Sequence, residues 1–181
     1  MPTDVLTLTI VSLYLSKTPG GISAPVSELH LRPRSGVVGD SHAGETQFDE
    51  STGQHVPNLR HFTAVTPREL GEVAEALGIP FIDPAWLKAN ICFASPGIAS
   101  MTETLVDGTT LLNAQGRPVL EIKGPTDPCL KMGQWIAGQF PQLPVEAQLF
   151  PKLSYGRRGV HGIVLAETTL TIGDTFTVAL P

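Results

Sequence analysis

The stretch Val26–Gly44, Val-Ser-Glu-Leu-His-Leu-Arg-Pro-Arg-Ser-Gly-Val-Val-Gly-Asp-Ser-His-Ala-Gly, changes character twice. Val26–Leu31 alternates apolar and polar residues with period two, the pattern of a strand with one face buried. Pro33-Arg34-Ser35-Gly36 then turns the chain. From Gly36 to Gly44 three glycines punctuate a loop that holds a carboxylate, Asp40, two residues from an imidazole, His42. A strand delivering an Asp-x-His loop predicts a β-rich scaffold that presents polar chemistry at its edge.

The same short-period pattern recurs on both sides. Val5–Leu15 is apolar and rich in β-branched residues, and His61–Val65 and Asn90–Ala94 read as strands. Thr110–Leu112 and Val119–Lys123 flank the turn Ala114-Gln115-Gly116-Arg117 as a hairpin, and Val160–Ala166, Thr169–Ile172 and Thr175–Leu180 close the chain. The polar segment Glu45–Pro57 has no clear periodicity and is expected to be a mobile surface loop. One helix is well signposted: Thr66 as N-cap with Glu69 three residues on, Pro67 at the first helical position, Leu70, Val73, Ala74 and Leu77 on one face, and Gly78 as terminator. Shorter helices are expected from Asp83-Pro84 and over Leu130–Phe140, the latter followed by a proline-spaced loop. The expectation is a single domain over 1–181, mainly β with a few helices, arranged as a β-barrel with helices across its connections.

With 181 residues, 41% of them hydrophobic, the chain can bury a core without disulfide staples. A net charge of −5 argues against nucleic acid or an anionic membrane as partner. No apolar run approaches bilayer length and no basic leader precedes one, so the chain is expected in the cytoplasm. Its two cysteines, Cys92 in a strand and Cys129 in a loop, suit a reducing compartment.

Cys129 lies in Gly124-Pro125-Thr126-Asp127-Pro128-Cys129, a proline-stiffened loop before a helix. A helix N-terminus and nearby lysines, Lys131 and Lys123, favour the reactive thiolate, whereas Asp127 opposes it. The thiol is therefore either an activated nucleophile or one more buried small residue. Asp40 and His42 either orient an imidazole for proton transfer or ligand binding, or stabilise their own turn. Gly159-Val160-His161-Gly162 is either a close backbone approach to a ligand or a strand entrance, and Arg60, His61, Arg157 and Arg158 are candidate anion contacts. Metal-ligand spacings of the Cys-x-x-Cys or His-Glu-x-x-His kind are missing, so no zinc site is expected. Phosphate-loop, dinucleotide and serine-elbow motifs are missing as well.

Taken in order, these segments resemble the MOSC domain family, named after the C-terminal domain of molybdenum cofactor sulfurase. Gly36–Gly44 is similar to its G-[LIV]-x-G-D-x-H-A-G signature, Asn90-Ile91 to its E-N-I with Ala89 in place of the glutamate, and Pro128-Cys129 to its single reactive cysteine. Gly159–Val164 and Ile172-Gly173-Asp174 match its closing pattern. The resemblance implies a β-barrel whose cysteine carries sulfur as a persulfide or ligates molybdenum in the pterin cofactor, here Cys129. It further implies Asp40 and His42 as shapers of the pocket, with Arg60, Asn90, Lys131 and Arg158 as cofactor contacts. The sulfur donor, a PLP-dependent cysteine desulfurase or another protein, would be separate. Two alternatives stay open: a molybdenum-dependent reductase component for N-hydroxylated compounds, served by an external electron-transfer protein, and a ligand-binding module without turnover. Cys129 is expected to be accessible and near the Asp40/His42 loop, and Cys92 buried and inert.

Overall fold

The computed structural model describes residues 5–181. In chain order its elements are β1 (Thr7–Leu15), β2 (Ala24–Val26), β3 (Glu28–Arg32), β4 (Gly36–Val37), β5 (Thr46–Asp49), β6 (Gln54–Pro57), β7 (Phe62–Val65) and α1 (Pro67–Leu77). There follow β8 (Ile91–Ala94), α2 (Met101–Thr104), β9 (Thr110–Leu112), β10 (Pro118–Pro125), α3 (Leu130–Gly138), α4 (Phe150–Leu153), β11 (Val160–Val164), β12 (Thr168–Thr171) and β13 (Thr175–Ala179). Single 3₁₀ turns occupy Pro84–Leu87 and Ala147–Leu149.

The main sheet runs β13-β9-β10-β11-β7-β8-β1, and β1 pairs back onto β13, which closes a barrel with β2 appended to β1. Closure removes the sheet edges. It is helped by register shifts between Ile10 and Ser12 in β1 and between Ile122 and Gly124 in β10, since bulges bend a strand. All its pairings are antiparallel except β7 with β8, where Ala64 opposes Ile91 and Val65 opposes Cys92. A parallel pair needs a long crossover, and α1 with the Pro84–Leu87 turn supplies it. The strands β12, β3 and β4 form a separate small sheet.

Alternation along the strands produces two cores. Inward residues such as Leu8, Ile10, Phe62, Ile91, Phe93, Leu111, Leu120 and Ile122 fill the barrel. Outward residues of β7 and β8, Val65 and Cys92, pack against α1, α3 and α4 through Leu70, Val73, Ile136 and Phe150, with Phe140 just past α3 in the same cluster. Burial pushes the Cys92 thiol up to about 11, with the Asp83 charge adding to the effect against a hydrogen bond from Ser12.

The α1 expectation holds: Thr66 accepts from the Glu69 N–H, and Gly78 closes the helix with φ of 70°. Glu69 does more than complete a local box. Its carboxylate is buried and also accepts from Ser100 Oγ at 2.7 Å and Thr102 N at 2.9 Å, tying α1 to α2.

Several expectations are corrected. Glu45–Pro57 is not an irregular loop; β5 and β6 form a four-pair hairpin, with Phe48 against His55 at 5.6 Å. The Val26–Leu31 strand is broken at Ser27, and its halves serve different sheets. The loop expected after α3 contains a 3₁₀ turn and α4. Among the described residues, no helix is long and apolar enough to cross a membrane.

Candidate functional site

Asp40 is the hub of the glycine loop. Its side chain is 3% exposed and accepts four hydrogen bonds. Oδ1 takes His42 N at 2.9 Å and His42 Nδ1 at 3.0 Å. Oδ2 takes Asn90 Nδ2 at 2.9 Å and Ser16 N at 3.1 Å. Burial by itself would raise the carboxyl, but hydrogen bonds from His42, Ser16 and Asn90 outweigh it and hold Asp40 below the usual carboxylate range. Asn90 extends the network by accepting Thr63 N at 3.0 Å, and Asn58 Nδ2 closes the loop by donating to His42 O and Gly44 O. Gly36 begins the loop at φ of 86°, where a Cβ would collide with the His61 backbone, so glycine is required there.

The outcome is an imidazole held by Nδ1. With Nδ1–H donating to Asp40, Nε2 of the neutral ring is left as an acceptor. His42 is exposed and lines a cavity of about 490 Å³, within the size range of small-molecule sites.

Cys129 lines the same cavity. It is the N-cap of α3, its thiol makes no capping hydrogen bond, and it is exposed. Arg60, Lys88, Lys131 and Arg158 also reach this cavity, with Asp127 as its carboxylate. Ile22, Trp86, Leu87, Met132 and Trp135 supply its apolar wall. Arg158 is 3% exposed; Nη2 donates to Leu87 O at 2.7 Å, while Nη1 is buried without a partner. Burial and the like charge of Arg60, offset in part by Cys129, pull Arg158 down to about 10, so it stays cationic at neutral pH at a desolvation cost. Desolvation likewise lowers Arg60, against the attraction of Cys129, Asp40 and Asp127. Among the described residues, neither guanidinium forms an ion pair. A buried guanidinium repelled by a second, half-buried one, neither of them ion-paired, is costly, and an anion entering the cavity relieves both.

Of the expected site residues, Cys129, His42, Arg60, Lys131 and Arg158 are brought together around this cavity. Asp40 and Asn90 stand behind its wall, buried and committed to internal hydrogen bonds, so they position His42 instead of lining the space. Lys123, expected near the thiol, lies on β10 and pairs with Glu121 of the same strand and with Asp107 from the loop before β9. Arg157 pairs with Glu72. His61 is buried and accepts Val164 N at 3.1 Å, a structural role. Gly159 and Gly162 make room for the carbonyls of Ala64 and Glu121 on neighbouring strands. Lys88 and Trp86 were not expected as site residues; Lys88 had one local signal, its place directly after a short Asp-Pro-initiated turn.

Comparison with known proteins agrees with this architecture. The MOSC domain family model matches residues 51–177. The chain is 30% identical to the YuaD protein of Bacillus subtilis (strain 168) over 172 residues, covering 92% of this chain and 87% of YuaD. It superposes on the crystal structure of YuaD with a TM-score of 0.86 and 28% identity, over 95% of each chain. The crystal structure of YiiM from Geobacillus stearothermophilus shares the fold at a TM-score of 0.60 and 17% identity, over 96% of this chain and 75% of YiiM.

Proposed function

The chain belongs to the MOSC domain family, and on that premise we propose that it handles the molybdenum cofactor in the 490 Å³ cavity, with Cys129 as its sulfur-carrying or metal-ligating residue. The observation that carries this reading is the meeting of an exposed thiol with the unpartnered Nη1 of buried Arg158. The name of YuaD, which refers to metal-sulfur cluster biosynthesis, points toward the same chemistry.

The residues present fit a phosphorylated pterin. Arg60 and Arg158 offer donors to an anionic group, and Trp86 and Trp135 offer flat apolar faces. Among the described residues, no three His, Cys, Asp or Glu side chains converge as a metal cage. The protein would therefore contribute one soft ligand, Cys129, and the cofactor's own sulfurs the others. When bound, the cofactor supplies molybdenum-centred oxo and sulfido chemistry. The chain's part is to hold its anionic end, keep the thiol open at the α3 N-terminus, and present His42 Nε2 as a proton acceptor.

Sulfur transfer needs no electron partner. The Cys129 thiolate attacks the outer sulfur of a donor protein's persulfide, a new S–S bond forms on Cys129 as the donor's S–S bond breaks, and the donor cysteine departs as a thiolate. A cysteine desulfurase is the donor class this step calls for, and the cytoplasm is the compartment that keeps both thiols reduced.

Intact-mass spectrometry of protein purified from cells that make molybdenum cofactor, with a parallel molybdenum assay, tests the proposal. One extra sulfur atom on metal-free protein, lost in Cys129→Ser, supports sulfur transfer. Bound molybdenum lost in the same variant supports ligation, and the lack of both signals rejects the proposal.

A further inference from the structure

The 3₁₀ turn Pro84–Leu87 ends in a left-handed cap: Lys88 N donates to Ala85 O and Ala89 N to Pro84 O, both at 3.2 Å. Lys88 itself stands at φ 55°, ψ 32°. Glycine is the ordinary occupant of such a cap, because an L side chain there crowds the following carbonyl. Among the described residues the other non-glycine residue with positive φ, Arg34, lies in an exposed turn next to Glu45. Lys88 instead is partly buried and lines the cavity.

Two side chains keep the strained cap in place. Thr63 Oγ1 donates to Lys88 O at 3.0 Å, and Arg158 Nη2 donates to Leu87 O at 2.7 Å. Arg158, which lines the cavity, thus braces the turn with one nitrogen while its Nη1 is buried without a partner. Desolvation and the charge of Lys131 lower the Lys88 ammonium, with Asp40 opposing and Arg60 reinforcing the shift. Lys131 and Arg60 line the cavity with Lys88 while Asp40 stands behind its wall, and among the described residues no carboxylate pairs with Lys88. A strained residue held by its surroundings in a site is where function accounts for the strain.

We propose that Lys88 is a ligand-anchoring residue, kept on its left-handed backbone so that its ammonium joins Arg60 and Arg158 around one phosphate-type oxyanion. The inference rests on reading this cavity as a ligand site. The oxyanion is either the phosphate ester of an organic ligand lying against Trp86 or a free inorganic anion.

The test uses the full chain with Lys88→Gly, Lys88→Asn and Lys88→Arg, since Gly and Asn tolerate the left-handed cap while removing the ammonium and its aliphatic stem, and Arg keeps a cation on a long stem. Inorganic phosphate and phenyl phosphate are titrated calorimetrically at low salt, and melting is followed in phosphate-free buffer. Lys88→Gly and Lys88→Asn are expected to bind about tenfold or more weakly, the loss of one charge-assisted contact, while melting at or above the wild-type temperature. Lys88→Arg retains binding. Tighter phenyl phosphate assigns the oxyanion to an organic ligand, and equal affinities assign a free anion. Wild-type affinity in Lys88→Gly, no binding of either probe by wild type, or a lowered melting temperature in both neutral variants overturns the proposal. Phosphate binding that ignores Lys88 leaves the Cys129 chemistry standing, and a Cys129 without sulfur or molybdenum leaves the Lys88 effect standing.

Discussion

Replacing Asp40 with asparagine changes one atom at the centre of the glycine loop. The carboxylate serves two donors per oxygen: His42 N and Nδ1 on Oδ1, Asn90 Nδ2 and Ser16 N on Oδ2. An amide keeps one oxygen, best placed for the buried Ser16 and Asn90, and turns its NH₂ toward His42. The imidazole can answer by moving its proton to Nε2 and accepting through Nδ1, but the His42 backbone N–H is left facing a donor. Three weakened bonds at roughly 0.5–1 kcal/mol each and one orphaned donor at about 1 kcal/mol or more give a loss of about 3 kcal/mol. For a domain of this size that is a fall in Tm of roughly 6–12 °C. The sign of the pH dependence follows from the depressed Asp40 carboxyl. Its contribution is fully present above the unfolded value near pH 4 and disappears as pH falls through the lower native value. Urea unfolding of Asp40→Asn and wild type at about pH 7 and pH 3 should show a gap that narrows in acid. A gap below about 1 kcal/mol at neutral pH, or one of equal size at both pH values, refutes the reasoning. Nitrogen NMR should show the His42 proton on Nδ1 in the neutral ring of wild type and on Nε2 in the variant.

Gly159→Ala should abolish soluble, folded protein or lower Tm by more than about 10 °C, because φ is 87° and a Cβ would overlap Ala64 O and Val65 Cγ1; a circular-dichroism melt decides it. Alkylation of the folded protein should modify Cys129 completely before Cys92 reacts, since Cys92 is buried with its thiol near 11. Peptide mapping that finds Cys92 modified first contradicts the site.

What could be read from the sequence was what is written locally. Thr66 through its side-chain oxygen, Pro67 through its fixed φ and Gly78 through its left-handed backbone set the limits of α1, and the hairpin Thr110–Lys123 was visible because apolar alternation flanks a turn. The β5–β6 hairpin was hidden because Gln47, Phe48, Gln54 and His55 are all exposed, leaving no contrast between faces. Pro118 is the first residue of β10, a strand position where proline is tolerated. For the site, the ordered Gly36–Gly44 and Pro128-Cys129 segments pointed to His42 and Cys129. Their division of labour was not legible: whether Asp40 faces the cavity or stands behind it depends on Ser16 and Asn90, which arrive from β1 and β8 regions far away in sequence. Lys88 shares that limit, as its position is decided by Thr63 and Arg158.

The pairing of β1 with β13, in which Thr7 opposes Thr177, has a consequence for synthesis. A ribosome-bound chain that has already made β1, β7 and β8 still exposes the flank of β1 that awaits β13, so the barrel cannot seal until β13 has left the ribosome. Folding of this ring must finish after β13 emerges, and its rate will be governed by the search between the first and last strands of the barrel, which are far apart in sequence. In that interval the open β1 flank is the surface most in need of protection by chaperones.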